Sequence, residues 1–291
     1  MQLAVLGTGL LGSAIAERLH KTGQQVTVYN RTVEKALPLR DRGLRVALRS
    51  RDAMESAEAV LLLLADAVAI RSVLFEPETA RRLAGRTIIQ MGTIGPDESV
   101  SLASEIQRRG GIYFEAPVLG SVAEATQGSL LVMVGSTAEQ LVQWKPTLQM
   151  LGQEVQWIGP VGSAAVVKLA LNQLIAAETA AFGLSLGLVR RSGLSTDTFL
   201  SLLRKSALYA PTFDKKLPRL TARDYLRPNF STRHLLKDVD LVVEAARTRG
   251  LNTSGLKGVR ELLAKALEMG LAEGDYSALY EAIDGDEKGS T

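Results

Sequence analysis

Lys168 and Asn172 stand four residues apart in Gly159-Pro160-Val161-Gly162-Ser163-Ala164-Ala165-Val166-Val167-Lys168-Leu169-Ala170-Leu171-Asn172, a stretch otherwise small or aliphatic. On a helix that spacing puts both polar groups on one face. A lysine there suits hydride-transfer chemistry, because its ammonium stabilises the alkoxide that develops on a reduced carbonyl and then supplies the proton. Partial burial would lower its pKa and ease that transfer. By residue type, the same lysine fits a snorkelling or paired surface cation equally well.

Near the start of the chain, Gly7-Thr8-Gly9-Leu10-Leu11-Gly12 follows an apolar strand and opens a helix. This is the context in which G-x-G-x-x-G binds a dinucleotide. Gly7 permits the tight turn, Gly9 the approach of a pyrophosphate and Gly12 close helix packing, while the helix N-terminus presents amides and a favourable dipole. At the end of the second strand, where a carboxylate would hold the ribose hydroxyls of NAD, the chain reads Tyr29-Asn30-Arg31-Thr32. Arg31 can pair with a 2′-phosphate through its planar fork, with Asn30 and Thr32 as neutral partners, so NADP is the expected cofactor.

The elements that must carry these residues are legible as periodicity. Gln2 to Leu6, Gln25 to Asn30, Ala59 to Leu64, Thr87 to Met91, Ile112 to Glu115 and Leu130 to Val134 read as strands. Amphipathic helices such as Ser13 to Thr22 alternate with them, which predicts an α/β, doubly wound, Rossmann-type parallel sheet with its ligand crevice at the carboxyl ends of the strands. From about Ser163 the strand signal ends. An all-α C-terminal domain is expected, entered by a long helix from Ser163 to about Arg190, with residues 1–160 as the NADP-binding domain and 161–291 as the substrate and dimerisation domain. That long helix, with Ala176, Ala177, Ala180, Ala181, Gly183 and Gly187, must be buried nearly all round. Asn172, Gln173, Glu178 and Thr179 inside it argue against a membrane span, leaving a second subunit as its partner in a homodimer or homotetramer.

Composition narrows the chemistry. The 291 residues are 46% hydrophobic and 22% charged, with no cysteine and two histidines, His20 and His234. Neither a disulfide framework nor a Cys/His zinc site can be built, and no metal is expected. The net charge of +3 is mild, and Arg40, Arg42, Arg45, Arg49 and Arg51 alternate with Asp41 and Asp52 as a solvated face and not a nucleic-acid patch. A first strand starting at Gln2 leaves no space for a leader, so the cytoplasm is the expected location. The polar end, Asp284 to Thr291, reads as a frayed tail.

Several motifs taken in order resemble the β-hydroxyacid dehydrogenases, the family of 3-hydroxyisobutyrate dehydrogenase, tartronate semialdehyde reductase and the glyoxylate or succinic semialdehyde reductases. They are the glycine motif, Met91-Gly92-Thr93, Glu115-Ala116-Pro117-Val118-Leu119-Gly120, the Gly162 to Asn172 segment and Lys237-Asp238. The resemblance implies that Lys168 is the proton donor and that Asn172 orients substrate beside it. It also implies that Lys237 contacts the cofactor region and that Asp238 holds the active-site charges. Leu64 and Ala65 would pass the cofactor by backbone contacts, Asp66 would contact it or cap the next helix, and Thr93 would touch cofactor or substrate. Pro228-Asn229-Phe230, followed by His234, is similar to the glyoxylate and succinic semialdehyde reductase branch, in which the Phe lines the substrate pocket. By residue type, Phe230 reads as core and His234 as a surface or satisfied histidine.

One position departs from the family. Its A-P-V-S-G motif carries a serine whose hydroxyl helps bind the substrate carboxylate, and this chain has Leu119. A hydrogen bond to a charged group contributes roughly 1.5–3 kcal/mol, so Gly120 and Ser121, through their amides or the Ser121 hydroxyl, would have to replace it, or the substrate is more apolar. The implied reaction is hydride transfer between NADP(H) and a small hydroxy acid or aldehyde acid. A 6-phosphogluconate dehydrogenase is disfavoured because that longer family has a histidine where this chain has Leu171. An imine reductase generally replaces the lysine kept here as Lys168. A non-catalytic NADP-binding relative is disfavoured by retention of Lys168 and Asn172 and by the lack of an extra basic or reader domain.

Overall fold

The near-continuous aliphatic runs become strands buried on both faces, as a parallel sheet covered by helices on each side requires. In a computed structural model describing residues 1–285, the strands are β1 (Gln2–Leu6), β2 (Gln25–Tyr29), β3 (Arg45–Ala47), β4 (Ala59–Leu62), β5 (Thr87–Gln90), β6 (Ile112–Glu115), β7 (Val118–Leu119), β8 (Leu131–Gly135) and β9 (Val155–Gly159). Their order is β3-β2-β1-β4-β5-β6-β8-β7, with β9 on β8. Pairing is parallel from β3 to β6. Strand β8 then runs antiparallel to β6 and β7, and β9 parallel to β8. The order reverses between the neighbours β1 and β4, which is where such sheets open a ligand crevice.

Alternate residues of one strand serve two cores. Leu3 and Val5 join Val26, Val28, Ile15 and Phe114 on one face. Ala4 and Leu6 join Val60, Leu62, Ile70 and Ile88 on the other. The covering helices are α1 (Leu10–Lys21), α2 (Leu37–Arg40), α3 (Ser50–Met54), α4 (Ala67–Leu74), α5 (Pro77–Ala80), α6 (Pro96–Gln107), α7 (Val122–Gln127) and α8 (Ala138–Gln149).

Three strands depart from expectation. β3 opens at Arg45, inside the run read as a solvated charged face, β7 is two residues long, and β9 is half-exposed with Trp157 open to solvent. Short or half-exposed strands lack the unbroken aliphatic run that marks a central strand. The charged run behaves otherwise as a surface, with Arg42 paired to Glu17 and Arg51 to Glu78.

Helix α9 (Ser163–Arg191) follows, then α10 (Thr196–Arg204), α11 (Pro211–Ala222), α12 (Thr232–Arg247), α13 (Ser254–Glu268) and α14 (Leu279–Asp284). The chain forms two compact units, Met1–Leu169 and the part from Ala170 onward. The strand signal ends near residue 160, but by packing the first turns of α9 belong to the sheet unit. Helix α9 is long and apolar enough to cross a membrane. It is not buried all round within this chain: Leu174, Leu184 and Leu188 are exposed, whereas Ala176, Ala180, Phe182 and Leu186 lie in the helical cores. Gly183 and Gly187 let α14 approach, since a Cβ at either would sit 3.2–3.3 Å from Ile283, Tyr280 or Asp284. Asp284, expected to begin a frayed tail, is instead buried and accepts a 2.6 Å bond from the Tyr280 hydroxyl and one from Arg191. Positions 286–291 of that expected tail lie outside the described residues.

The second unit contains a buried ion pair. Lys216 Nζ donates to both Asp275 oxygens at 2.7 and 2.8 Å and lies 4.0 Å from the centre of the Tyr276 ring. Asp275 also accepts from Ser277 Oγ at 2.7 Å and from the Asn229 amide at 3.3 Å. Burial pushes the Asp275 carboxyl up, but the Lys216 ammonium outweighs it and leaves the group below its ordinary value. Asp275 therefore adds stability above the usual carboxylate range and loses it as pH falls. Breaking such a pair strands a charge, so Lys216→Met should cost about 3–5 kcal/mol at neutral pH, read as a lowered urea midpoint. With the ammonium removed, burial is opposed only by Ser277, the Asn229 amide and Arg219 at 3.9 Å, so the variant should lose less stability than the wild type on acidification.

Candidate active site

The turn from β1 into α1 is built around backbone approaches that only glycine allows. Gly7 has φ +106°, and a Cβ there would lie 2.3 Å from the Leu63 carbonyl oxygen. A Cβ at Gly12 would lie 2.0 Å from the Gly7 oxygen. Gly9 differs, because nothing lies within 4 Å of where its Cβ would be. Gly9 is also the N-cap of α1, with no side-chain cap and no acidic residue in the first turn. The first amides of a twelve-residue helix, Leu10, Leu11 and Gly12 among them, thus face a space suited to an anion. Thr8 Oγ1 is buried there with no hydrogen-bond partner among the described residues. This cradle fits a dinucleotide pyrophosphate.

Asn30 is used differently from the expectation that it would meet the ribose phosphate. Its Oδ1 accepts from the Thr8 amide at 3.1 Å and its Nδ2 donates to the Thr32 carbonyl at 2.9 Å. Asn30 is thereby a brace that ties the glycine turn to the end of β2, alongside the 2.8 Å bond from the Gly7 amide to the Tyr29 carbonyl. Arg31 and Thr32 are exposed at the same strand end, and no hydrogen bond or ion pair occupies the Arg31 guanidinium among the described residues.

The carboxyl ends of β4 and β5 continue this edge. Leu64 and Ala65 follow β4, and Asp66 caps α4 by accepting from the Ala69 amide at 2.7 Å. A Cβ at Gly92 would come within 2.9 Å of the Leu64 oxygen, so Thr93 leaves β5 tightly beside the β4 loop.

After β6 the structure corrects the role foreseen for Ser121. Its amide donates to Glu124 at 2.7 Å and its hydroxyl makes a short bond to the same oxygen, forming a capping box at the start of α7. With both donors on a carboxylate, Ser121 holds no unengaged donor to replace the missing serine hydroxyl. Leu119 of β7 pairs with Leu131 of β8, and Gly120, at φ +138°, is exposed.

Residue spacing did not single out Glu115, although it ends β6 and is 1% exposed. Its Oε2 accepts from the amides of Gly162 at 2.9 Å and Ala164 at 3.1 Å, the first turn of α9. Its Oε1 accepts from Ser99 Oγ at 2.7 Å, which in turn lies 2.7 Å from the Tyr113 hydroxyl. Burial pushes the carboxyl above its ordinary range, and the bonds from Ser99 and the α9 amides pull against that. The available signal was an acid closing an otherwise apolar strand, Ile-Tyr-Phe-Glu.

Lys168 lies one turn further along α9 and is 9% exposed. Asn172 follows after another turn, in the second unit, and is 2% exposed. Its Nδ2 donates to Asp238 Oδ2 at 2.5 Å, while its Oδ1 is buried with no hydrogen-bond partner among the described residues. Lys237 Nζ is 2.8 Å from Asp238 Oδ1. The second unit therefore brings Asn172, Lys237 and Asp238 into one polar cluster. Phe230 packs on Tyr276 at 5.9 Å and on the surrounding core. His234 is satisfied by Ser231, whose Oγ lies 2.6 Å from Nδ1.

A family model described as the NAD binding domain of 6-phosphogluconate dehydrogenase matches residues 2–159. A second, described as the NAD-binding of NADP-dependent 3-hydroxyisobutyrate dehydrogenase, matches residues 162–283. The chain belongs to the β-hydroxyacid dehydrogenase family. This β-hydroxyacid dehydrogenase is an NAD(P)-dependent oxidoreductase. It is 30% identical to glyoxylate/succinic semialdehyde reductase 1 of Arabidopsis thaliana over 97% of this chain and 98% of that one. It is 26% identical to the human cytokine-like nuclear factor N-PAC, covering 97% of this chain and 51% of that protein. Among solved structures, the fold matches 3-hydroxyisobutyrate dehydrogenase from Salmonella typhimurium, with a TM-score of 0.87 at 21% identity over 97% and 99% of the two chains. An imine reductase from Myxococcus stipitatus matches with a TM-score of 0.67 at 19% identity over 97% and 100%.

The glycine cradle has a direct test. Gly12→Ala forces a methyl onto the Gly7 carbonyl and should weaken NAD(P)H binding by at least about tenfold, or about 1.4 kcal/mol, in a fluorescence titration, with far-UV circular dichroism unchanged.

Proposed function

We propose that this enzyme reduces a short aldehyde acid of the glyoxylate or succinic semialdehyde type with NADPH, Lys168 protonating the product oxygen. The observation that carries the reading is the pairing of a buried lysine with a buried asparagine one turn away, on a helix that starts at the carboxyl edge of the nucleotide-binding sheet. When bound, the cofactor supplies the hydride. The open amides of α1 hold its pyrophosphate, and Arg31, exposed beside a strand end that lacks a carboxylate, pairs with the 2′-phosphate. The Leu64, Ala65 and Thr93 edge flanks its remaining length. Asp238 fixes the Asn172 amide, which leaves Oδ1 as the acceptor offered to the substrate or to the ammonium. The ammonium stabilises charge as it develops on the carbonyl oxygen and then delivers the proton. In the reverse direction the amine is the base.

The substrate end differs from the family pattern. With Leu119 apolar and Ser121 bonded to Glu124, a substrate carboxylate would rely on backbone donors such as the Gly120 amide. This favours a longer, less charge-dense substrate such as succinic semialdehyde over glyoxylate.

Assembly is proposed as a homo-oligomer formed through α9. Val166, Ala170, Leu174, Ala177, Ala181, Leu184 and Leu188 recur every three or four residues, and Val166, Leu174, Leu184 and Leu188 are exposed within one chain. That spacing matches a helix seam. Leu184→Glu should convert the species seen by sedimentation equilibrium to monomer, and an unchanged mass would remove the seam from consideration.

The reaction is tested by NADPH oxidation with glyoxylate, succinic semialdehyde, tartronate semialdehyde and a cyclic imine. Lys168→Ala should lower kcat on the best aldehyde acid by about 10²–10⁴ with NADPH affinity unchanged. Imine turnover that survives the substitution would point to an imine reductase, and cofactor binding without any turnover to a non-catalytic relative. In the same assay Arg31→Ala should reduce the NADPH-over-NADH ratio of kcat/KM by about tenfold or more.

A further inference from the structure

We infer that Glu115 is a positioning residue for Lys168, acting by closing the N-terminus of α9 and thereby setting the height and rotation of the helix that carries the ammonium. The inference rests on the reading of Lys168 as proton donor.

Three observations converge on Glu115. Its carboxylate takes two amides of the turn that begins α9, those of Gly162 and Ala164, so the helix start is bonded directly to the end of a central strand. Lys168 is four residues beyond Ala164, hence roughly one turn from the anchored amide, and a displacement of the anchor passes to it through the helix ladder. Second, the carboxylate is held from its other side. Ser99 on α6 donates to Oε1 at 2.7 Å, with the buried Tyr113 hydroxyl beyond it, which fixes the plane of the group.

Third, neighbouring backbone is shaped to admit it. Glu115 is paired with Gly135 of β8, where a Cβ would lie 2.0 Å from Glu115 Oε2 and 3.1 Å from the Pro160 oxygen. Gly162, at φ +97°, turns the chain so that its amide meets the same oxygen. A purely stabilising cap would need none of this, since a serine, threonine or aspartate at position 162, the residue before α9, serves an ordinary helix. Here the cap comes from a distant strand, 47 residues earlier. What it adds is registration of α9 on the sheet whose carboxyl edge binds the cofactor. Misplacement of a catalytic group by about 1 Å costs on the order of 10² in rate, so the anchor should be visible in kcat.

The test is a double-mutant cycle on the full-length enzyme with NADPH and its best aldehyde-acid substrate. Glu115→Gln keeps the shape but places an amide group where one oxygen accepted or leaves a single acceptor. It should lower kcat by about 10- to 100-fold, with NADPH Kd within about twofold of wild type. In the Lys168→Ala background the same substitution should change the residual rate by less than about twofold, because the group it positions is gone. Glu115→Asp, which keeps the charge on a shorter arm, should recover part of the loss. The inference is overturned if Glu115→Gln leaves kcat within about twofold of wild type, or if it costs the same factor with and without Lys168, the behaviour of a merely structural residue. If Glu115→Gln does not yield folded protein, Ser99→Ala leaves the carboxylate in place without its brace. It should cost about threefold or more in kcat, again only when Lys168 is present, and no change overturns the inference. Full activity of Lys168→Ala defeats the proposed reaction itself, whereas an inactive Lys168→Ala beside a fully active Glu115→Gln defeats only the positioning role.

Discussion

An α-helix begins with amide groups that its own ladder cannot satisfy, and two helix starts in this protein answer that constraint in opposite ways. At α1 the amides are left open: Gly9 caps without a side chain, and nothing fills the space beside it. At α9 they are closed by a carboxylate brought from β6. The open start is where a dinucleotide's charge can be received. The closed one supports the only lysine on a long apolar helix. Both are set on the same sheet, so the parallel strands give the two ends of the chemistry a common frame.

Much of this was legible before any coordinates. The strands near the centre announced themselves because burial on both faces demands unbroken aliphatic runs, and G-x-G-x-x-G carried weight because it stood between such a run and a helix. The shared face of Lys168 and Asn172 followed from helical spacing, and an interest in Lys237 and Asp238 from family likeness alone. The Asn172–Asp238 bond was not among those expectations, because it joins residues 66 apart in the chain. The edge strands β3, β7 and β9 escaped notice because a half-exposed strand has no periodic demand strong enough to stand out.

The misses at the site share a cause. Asn30, Ser121 and Glu115 are short-range or cross-sheet hydrogen-bonding groups whose partners depend on backbone placement, and residue type says only that a partner must exist. Asn30 looked like a ligand contact and proved to be a brace on Thr8. Ser121 looked like a donor for substrate and proved to be tied to Glu124 three residues on, a capping box that S-x-x-E spells out in the sequence. Glu115 sits inside the family motif, and its bonds to the Gly162 and Ala164 amides span a gap in sequence that residue type cannot bridge.

The contact between Gly135 and the Glu115 oxygen has an evolutionary corollary. A side chain at position 135 is compatible only with a shorter or differently placed acid at 115, so the two sites should change together across homologous chains, although 20 residues separate them. Chimaeras joined between β6 and β8 from divergent parents would therefore inherit mismatched halves of one device, and crossovers outside that interval are the ones expected to keep turnover.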